Sequence, residues 1–259
     1  MLETGTCDAM LAAAADPVAD VRRGCLHVVI ELSAYAESIR VIVTAGLVDL
    51  LLARCRGAPD GGPPIPDVQA MAATALRRVC QTDIGLQKAI AEGALDTALG
   101  MLANEHKEVK CQSAHCLAVL TFEQQQKANA LAAGVMPRLE VMLRGDFEER
   151  TASAALLMSM CNGTKLPDGT NFCKKAAVDA GICEPLFVVM QDALGLETEG
   201  SMTPASSELY VYAAKAIAAL ADNPLGRKQL KVCLPELRAL TKSSQPLLSK
   251  HAEIAIERI

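Results

Sequence analysis

One phrase recurs along this chain at intervals of 41 to 51 residues and limits what the chain can fold into. It reads AGLVDLLL at 45–52, EGALDTALGML at 92–102, AGVMPRLEVML at 133–143 and AGICEPLFVVM at 180–190. Each copy is centred on a glycine, and two weaker copies extend the series with Gly5 upstream and with Val232 in place of a glycine downstream. A period in the forties predicts a stack of helical units, none of which can bury its apolar face alone.

Each unit has the same predicted parts. A short helix with a basic residue near its start comes before the glycine, for example ESIRVIVTAG with Arg40. The glycine can adopt the left-handed conformation that ends a helix. A second helix follows, with leucines three and four residues apart, and after a polar break a longer third helix such as VRRGCLHVVIELSAYA completes the unit.

The uneven spacing predicts three inserted loops. They are GAPDGGPPIPD at 57–67, GTKLPDGTN at 163–171 and DALGLETEGSMTPASS at 192–207. All three are rich in glycine, proline and polar residues, which is typical of loops. They are either tolerated insertions or places where function has been added to a rigid stack.

Composition excludes several classes of protein. Net charge is −5, so no broad basic surface indicates nucleic acid or anionic lipid as a partner. No apolar run reaches the roughly 18 residues that a membrane span needs, and MLETGTCDAM does not read as a signal peptide. The ten cysteines are spread through apolar helical patterns without a CxxC motif, which favours reduced core residues in a cytoplasmic protein.

The order of short helix, glycine turn, helix and long helix, at a period near 42, resembles the armadillo repeat. The two-helix HEAT repeat is the nearest alternative, but the extra helix before each glycine favours armadillo. The resemblance implies an all-α, right-handed α-solenoid of about six three-helix repeats with incomplete terminal repeats. It implies one domain over 1–259, with units near 1–36, 37–83, 84–123, 124–169, 170–222 and 223–259.

Peptide-binding members of the armadillo family carry tryptophan and, four residues on, asparagine along the concave third helices. The matching positions here are His27 and Glu31, Thr74 and Arg78, His115 and Val119, Ala155 and Ser159, Lys215 and Ala219. None of them is tryptophan or asparagine, so we do not expect this groove to hold a basic peptide in that manner. His27, Glu31, Thr74, Arg78, His115 and Lys215 remain the candidate protein-binding residues, with a merely solvated face as the alternative.

Catalytic and metal-binding patterns are weak. GTKLPDGT does not match a phosphate-binding loop, and no HExxH, GxSxG or GxGxxG motif stands in a suitable context. Cys111 and His115 would share a helical face, but no second pair of ligands follows them. The sequence therefore predicts no enzyme, no catalytic residue, no metal and no cofactor.

The ends of the chain suggest neighbours. Apolar Met10 and Leu11 and the final Ile259 lead us to expect that at least one end of the stack packs on another protein. The segment from Ile217 to Ile259, with NPLGRK and the closing helix KHAEIAIERI, resembles armadillo-repeat proteins of cilia and flagella, in particular those of the radial spoke.

The predicted function is thus a structural adaptor in a cytoskeletal assembly, the ciliary axoneme. Its partners would be other protein subunits that pack on the concave face, the inserted loops or the exposed ends, with no nucleic acid and no membrane. The alternative is a cytoplasmic armadillo adaptor that binds clients transiently, such as a chaperone cofactor or a trafficking adaptor.

Overall fold

In the computed structural model, which describes residues 4–57, 64–163 and 172–259, helices connected by short turns account for nearly every residue and no strand occurs. The all-α prediction is therefore correct for these ranges. The chain divides into two compact units, Met1–Leu120 (unit 1) and Thr121–Ile259 (unit 2). Among the described helices, none combines the length and hydrophobicity that crossing a lipid bilayer requires.

Unit 1 is built from helices α1 to α8. They are α1 (Thr4–Ala14), α2 (Ala19–Leu32), α3 (Ala36–Thr44), α4 (Leu47–Arg56), α5 (Pro66–Val79), α6 (Asp83–Ala91), α7 (Ala94–Met101) and α8 (Lys107–Leu120). The long helices pack in series, with α2 on α5 and α5 on α8, and the second helices α4 and α7 pack on each other behind them.

Unit 2 repeats this pattern with helices α9 to α17. They are α9 (Gln124–Ala132), α10 (Val135–Leu143), α11 (Phe147–Cys161), α12 (Phe172–Asp179), α13 (Cys183–Thr198), α14 (Pro204–Leu220), α15 (Pro224–Leu230), α16 (Leu234–Leu240) and α17 (Pro246–Arg258). The long helices α11, α14 and α17 again pack in series.

Small and aliphatic side chains form the core of both units. Leucines such as Leu51 and Leu139 are fully buried on the second helices. On the long helices, alanines such as Ala154 and Ala216 are equally buried. Since an alanine side chain is a single methyl group, neighbouring long helices can approach closely without aromatic residues.

The repeated glycine makes the same turn in four copies. Gly46, Gly93, Gly134 and Gly181 have φ angles of 79°, 78°, 74° and 80°. This left-handed conformation strains any residue with a Cβ atom, which is why glycine recurs here. The turn lets a short helix end and the second helix start after two or three intervening residues.

The two weaker copies of the phrase do not form this turn. Gly5 lies inside α1 and has no left-handed φ, so its assignment as a turn glycine was wrong. At Val232 the chain continues through a 3₁₀ turn, Lys231–Cys233, with right-handed dihedral angles into α16. Because valine is β-branched and disfavours positive φ, a right-handed connection replaces the left-handed one.

The predicted loop at 192–207 is mostly helical, which corrects the sequence interpretation. Helix α13 continues to Thr198 and α14 starts at Pro204. Gly200, at φ 68°, ends α13 in a Schellman-type cap in which Ser201 N donates to Leu196 O at 2.9 Å. The glycine and the polar residues that indicated a long loop therefore mark only a helix end. Of the other two predicted loops, residues 58–63 and 164–171 lie outside the described residues.

The NPLGRK phrase has a structural explanation in unit 2. Asn223 Oδ1 caps α15 by accepting from the backbone N–H groups of Leu225 at 2.9 Å and Gly226 at 3.1 Å. A Cβ atom on Gly226 would lie 2.5 Å from the carbonyl oxygen of Leu220. Arg227 Nε donates to Ala221 O at 2.9 Å. These residues therefore hold α15 tightly against the end of α14.

All ten cysteines are free and buried, as the sequence predicted for core residues. Burial raises the pKa of the Cys116 thiol to about 12 and that of Cys173 and Cys183 to about 11. Because the thiolate is the reactive form, these side chains act as small apolar residues at neutral pH.

We expect Gly46→Ala to lower the free energy of unfolding by about 1 to 2 kcal/mol, because the methyl group meets no neighbour but the positive φ strains any Cβ. Chemical denaturation monitored by circular dichroism measures this change.

Gly24→Ala is the matched control in the same unit. Gly24 lies inside α2 with open space around it, so alanine should raise stability by roughly 0.5 to 1 kcal/mol. Equal effects of the two substitutions would show that the left-handed turn is not what selects glycine at position 46.

Candidate protein-binding surfaces

In unit 1 the predicted site residues lie on the long helices α2, α5 and α8. His27 and Glu31 stand four residues apart on α2, share one face of that helix and are exposed. Neither side chain forms a hydrogen bond or ion pair within the described ranges. His115 on α8 is half-buried. His27 and Glu31 are therefore the members of this group that are available to a partner.

Thr74 and Arg78 on α5 are half-buried and connect neighbouring long helices. Arg78 Nη1 donates to the carbonyl oxygen of Ile30, in the last turn of α2, at 2.7 Å. The Thr74 hydroxyl lies 3.0 Å from Gln112 Oε1 on α8, to which it can donate. Both residues thus have a structural role, which the sequence did not indicate.

Unit 2 contains a cavity with a volume of about 270 Å³. We call it the α14 groove. It is lined by Met158, Asn162, Lys174, Lys215, Ala218, Ala219, Asp222, His251, Ile254 and Arg258.

Helical spacing brings these side chains together. On α14, Lys215, Ala218 and Ala219 are three and four residues apart and share one face, and Asp222 follows one turn later. On α17, His251, Ile254 and Arg258 likewise share a face. The two alanines form a low floor between these helices because their side chains are short.

Asp222 is the acidic group of the α14 groove, and both of its carboxylate oxygens are engaged. Lys174 Nζ is 2.6 Å from Oδ2, and Arg258 Nη1 is 3.0 Å from Oδ1. Burial by itself raises the pKa of Asp222, but the hydrogen bonds and charges of Lys174 and Arg258 outweigh it, so the pKa is lowered. Asp222 is therefore ionised and neutralised by its two partners at neutral pH.

Lys215 and His251 face the groove without such compensation. Lys215 has no carboxylate partner in the part of the chain that the structure describes. Burial lowers the pKa of the His251 imidazole, and the positive charges of Lys215 and Lys250 lower it further. The groove thus presents an unpaired ammonium group beside a neutral imidazole at pH 7.

A second buried lysine lies behind the groove. Lys127 on α9 is only 6% exposed, and its ammonium group donates to the carbonyl oxygen of Asn162, the C-cap residue of α11. Burial lowers the pKa of Lys127, the nearby thiols of Cys173 and Cys161 raise it, and the charge of Lys174 lowers it. Lys127 thus holds the end of α11 next to Asn162, which lines the groove.

Sequence reasoning found only part of this site. Lys215 and Ala219, identified as one pair of family positions, do line the groove. His251, Arg258 and Asp222 were missed, although the spacing of the first two on α17 was a usable signal. Ala155 and Ser159, the equivalent pair on α11, are buried and cannot contact a partner.

Among the described residues, the lining of the groove carries more positive than negative side chains. Lys174, Lys215 and Arg258 are basic, and Asp222 is acidic. No group of three or more histidine, cysteine, aspartate or glutamate side chains within the described ranges could hold a metal ion.

Comparisons with known proteins identify the fold. No protein-family model matches the sequence, and no curated protein does. Solved structures do match: an engineered protein superposes with a TM-score of 0.79, 20% identity and 97% coverage of both chains. A designed armadillo repeat protein gives a TM-score of 0.75 with 21% identity and 99% coverage of both chains. Another designed armadillo repeat protein, in complex with the peptide (KR)4, gives a TM-score of 0.74 with 20% identity and 99% coverage of both chains.

These likenesses confirm the predicted fold class, an all-α solenoid of the armadillo type. The HEAT alternative is not needed, since the short helix before each turn glycine is present at α3, α6, α9 and α12.

We expect Asp222→Asn to lower the free energy of unfolding by about 2 to 3 kcal/mol, because it removes the carboxylate that pairs with the buried Lys174 ammonium group and with Arg258. Since folding lowers the pKa of Asp222, its stabilising contribution is present above the unfolded pKa of about 4. That contribution is lost as pH falls through the folded pKa. The difference in free energy of unfolding between the wild type and Asp222→Asn should therefore decrease in acid.

Asp192→Asn serves as the control, because Asp192 forms a more exposed pair with Arg150 at 2.5 Å. We expect a change within about 0.5 kcal/mol. Denaturation curves measured from pH 7 to pH 3 give the free energy of unfolding of each variant. Equal losses of stability in Asp222→Asn and Asp192→Asn would contradict the role of Asp222.

We expect the His251 imidazole to titrate below the usual value of about 6.5, and Lys215→Gln to raise its midpoint, because a neighbouring positive charge is removed. An NMR titration of the ring protons measures both. Lys242→Gln, at an exposed position outside the groove, should leave the midpoint unchanged. If the midpoint of the His251 titration is the same in the wild type and in Lys215→Gln, the two groups do not interact.

Proposed function

We propose that this protein is a non-catalytic scaffold for protein–protein interactions. The observation that carries the proposal is the α14 groove, an open and charged cavity on the long helices whose Lys215 ammonium group is unpaired among the described residues. A charge held at a half-buried position without a partner is typical of a recognition surface. The exposed pair His27 and Glu31 offers a second contact surface in unit 1.

The fold agrees with this role. A designed armadillo repeat protein of similar structure was solved in complex with a peptide. Stacked helical repeats produce extended surfaces that suit binding better than a reaction, and nothing in the described residues assembles a metal site.

We further propose that the scaffold is a structural adaptor of the ciliary axoneme and a component of the radial spoke. The support is the resemblance of the segment from Ile217 to Ile259 to armadillo-repeat proteins of cilia. Its partners are then neighbouring protein subunits that pack on the long-helix faces, the inserted loops or the ends of the stack, and its location is the cytoskeleton.

A transient adaptor, such as a chaperone cofactor or a trafficking adaptor, is the second candidate. The small volume of the α14 groove, about 270 Å³, favours it, because such a cavity takes a short segment of a client.

Fractionation of ciliated cells separates the two candidates. A structural subunit should stay with the detergent-stripped axoneme until harsh salt extraction, because a large permanent interface resists dilution and salt. Recovery in the detergent-soluble fraction or in the cell body alone would reject the axonemal proposal and favour the transient adaptor.

Glu31→Lys tests whether the face of α2 takes part. We expect the tagged variant to leave the axoneme at lower salt than the wild type, since charge reversal at a contact weakens binding. Glu37→Lys, at an exposed position on the adjacent helix α3, is the matched control and should be retained normally. Equal retention of both variants would exclude Glu31 from the interface.

A further inference from the structure

We infer that the α14 groove binds an acidic segment of a partner protein, with aspartate or glutamate carboxylates placed between Lys215 and Arg258. This inference rests on the proposed scaffold function and adds the chemical class of the partner. It depends on the positions of four side chains: Lys174, Lys215, Asp222 and Arg258.

Among the described residues, the excess of positive charge in the groove favours an anionic ligand. Asp222 is occupied by Lys174 at 2.6 Å and by Arg258 at 3.0 Å, so it cannot also neutralise Lys215. The Arg258 side chain is 57% exposed, and only one of its N–H groups is used by Asp222. An arginine has five such donors, so Arg258 can hold a second carboxylate while keeping the first.

The walls of the groove strengthen this attraction. Met158, Ala218 and Ile254 are apolar and line the same cavity as the charged groups. An entering carboxylate would displace water from a surface of low polarity, where the interaction between charges is stronger than in bulk solvent. The same apolar walls suit the methylene groups of a glutamate side chain.

Selectivity follows from the same groups. A peptide of lysine and arginine, like the one bound by the designed armadillo protein, would be repelled by Lys215 and Arg258. A nucleic acid would need cations along many consecutive phosphates, whereas the net charge of this chain is −5. A short acidic peptide matches both the sign and the size of the groove.

His251 provides an internal reporter of occupancy. The charged groups that line the groove around it are Lys174 on α12, Lys215 and Asp222 on α14, and Arg258 on its own helix, which also carries Lys250. A carboxylate that entered beside Lys215 would offset the cations that disfavour the imidazolium form. Binding should therefore raise the pKa of His251, and by linkage the affinity should increase as pH falls from 7.5 to 6.

The experiment uses the full chain and a fluorescein-labelled peptide of alternating glutamate and leucine, with its glutamine counterpart and a lysine-arginine peptide as controls. Fluorescence anisotropy gives the dissociation constants. Of the three peptides, we expect only the glutamate peptide to bind saturably. Lys215→Gln should weaken its affinity about tenfold or more, and Lys242→Gln should leave the affinity unchanged. His251→Gln should remove most of the pH dependence.

Each other result overturns the inference. Equal affinity for the glutamate and glutamine peptides would show that charge is not recognised. Unchanged affinity in Lys215→Gln would place the peptide elsewhere on the chain. Absence of binding would reject the acidic partner, while the scaffold proposal is tested separately by the fractionation experiment.

Discussion

The left-handed glycine between the first and second helices is the constraint on which the rest of each unit depends. At Gly46, Gly93, Gly134 and Gly181 the chain reverses within a few residues, so the first helix does not run on into the second. In these four copies the sharp turn brings the second helix back against the long one, where their apolar faces can be buried together. Where valine replaces the glycine at position 232, the connection becomes a right-handed 3₁₀ turn.

Packing of the long helices decides where a binding surface can form. Alanine at the helix contacts, as at Ala154 and Ala216, permits close approach and leaves no room for large side chains between helices. Polar groups at the edges of these contacts must then find partners on the neighbouring helix. Arg78 does so with the carbonyl oxygen of Ile30, and Lys127 with that of Asn162. These bonds satisfy helix ends and fix the helices relative to one another within each unit.

In the α14 groove of unit 2, one charged group is left without such a partner among the described residues. Lys174 is buried and takes the carboxylate of Asp222, which Arg258 shares. Lys215 is left facing the same cavity with its charge uncompensated among the described residues, next to an imidazole that burial keeps neutral. A stable fold tolerates such a charge because Lys215 is only half-buried and retains contact with water.

The period of the glycine phrase and the helical spacing of leucines determined the all-α solenoid and the turn geometry. The placement of all ten cysteines in apolar helical patterns determined their burial. These features depend on local conformation and on which faces are apolar, and both can be read from a linear pattern.

The interpretation of the stretch 192–207 as a loop was wrong. The same glycine can mark a long loop or the end of a long helix, and only the packing of α13 distinguishes the two. The sequence pattern identified Lys215 as a candidate site residue, but it did not identify the side chains that surround Lys215. The tertiary structure decided that His251 and Arg258 surround it and that Arg78 holds the end of α2. These contacts join helices whose contacting residues lie 36 to 48 positions apart in the chain.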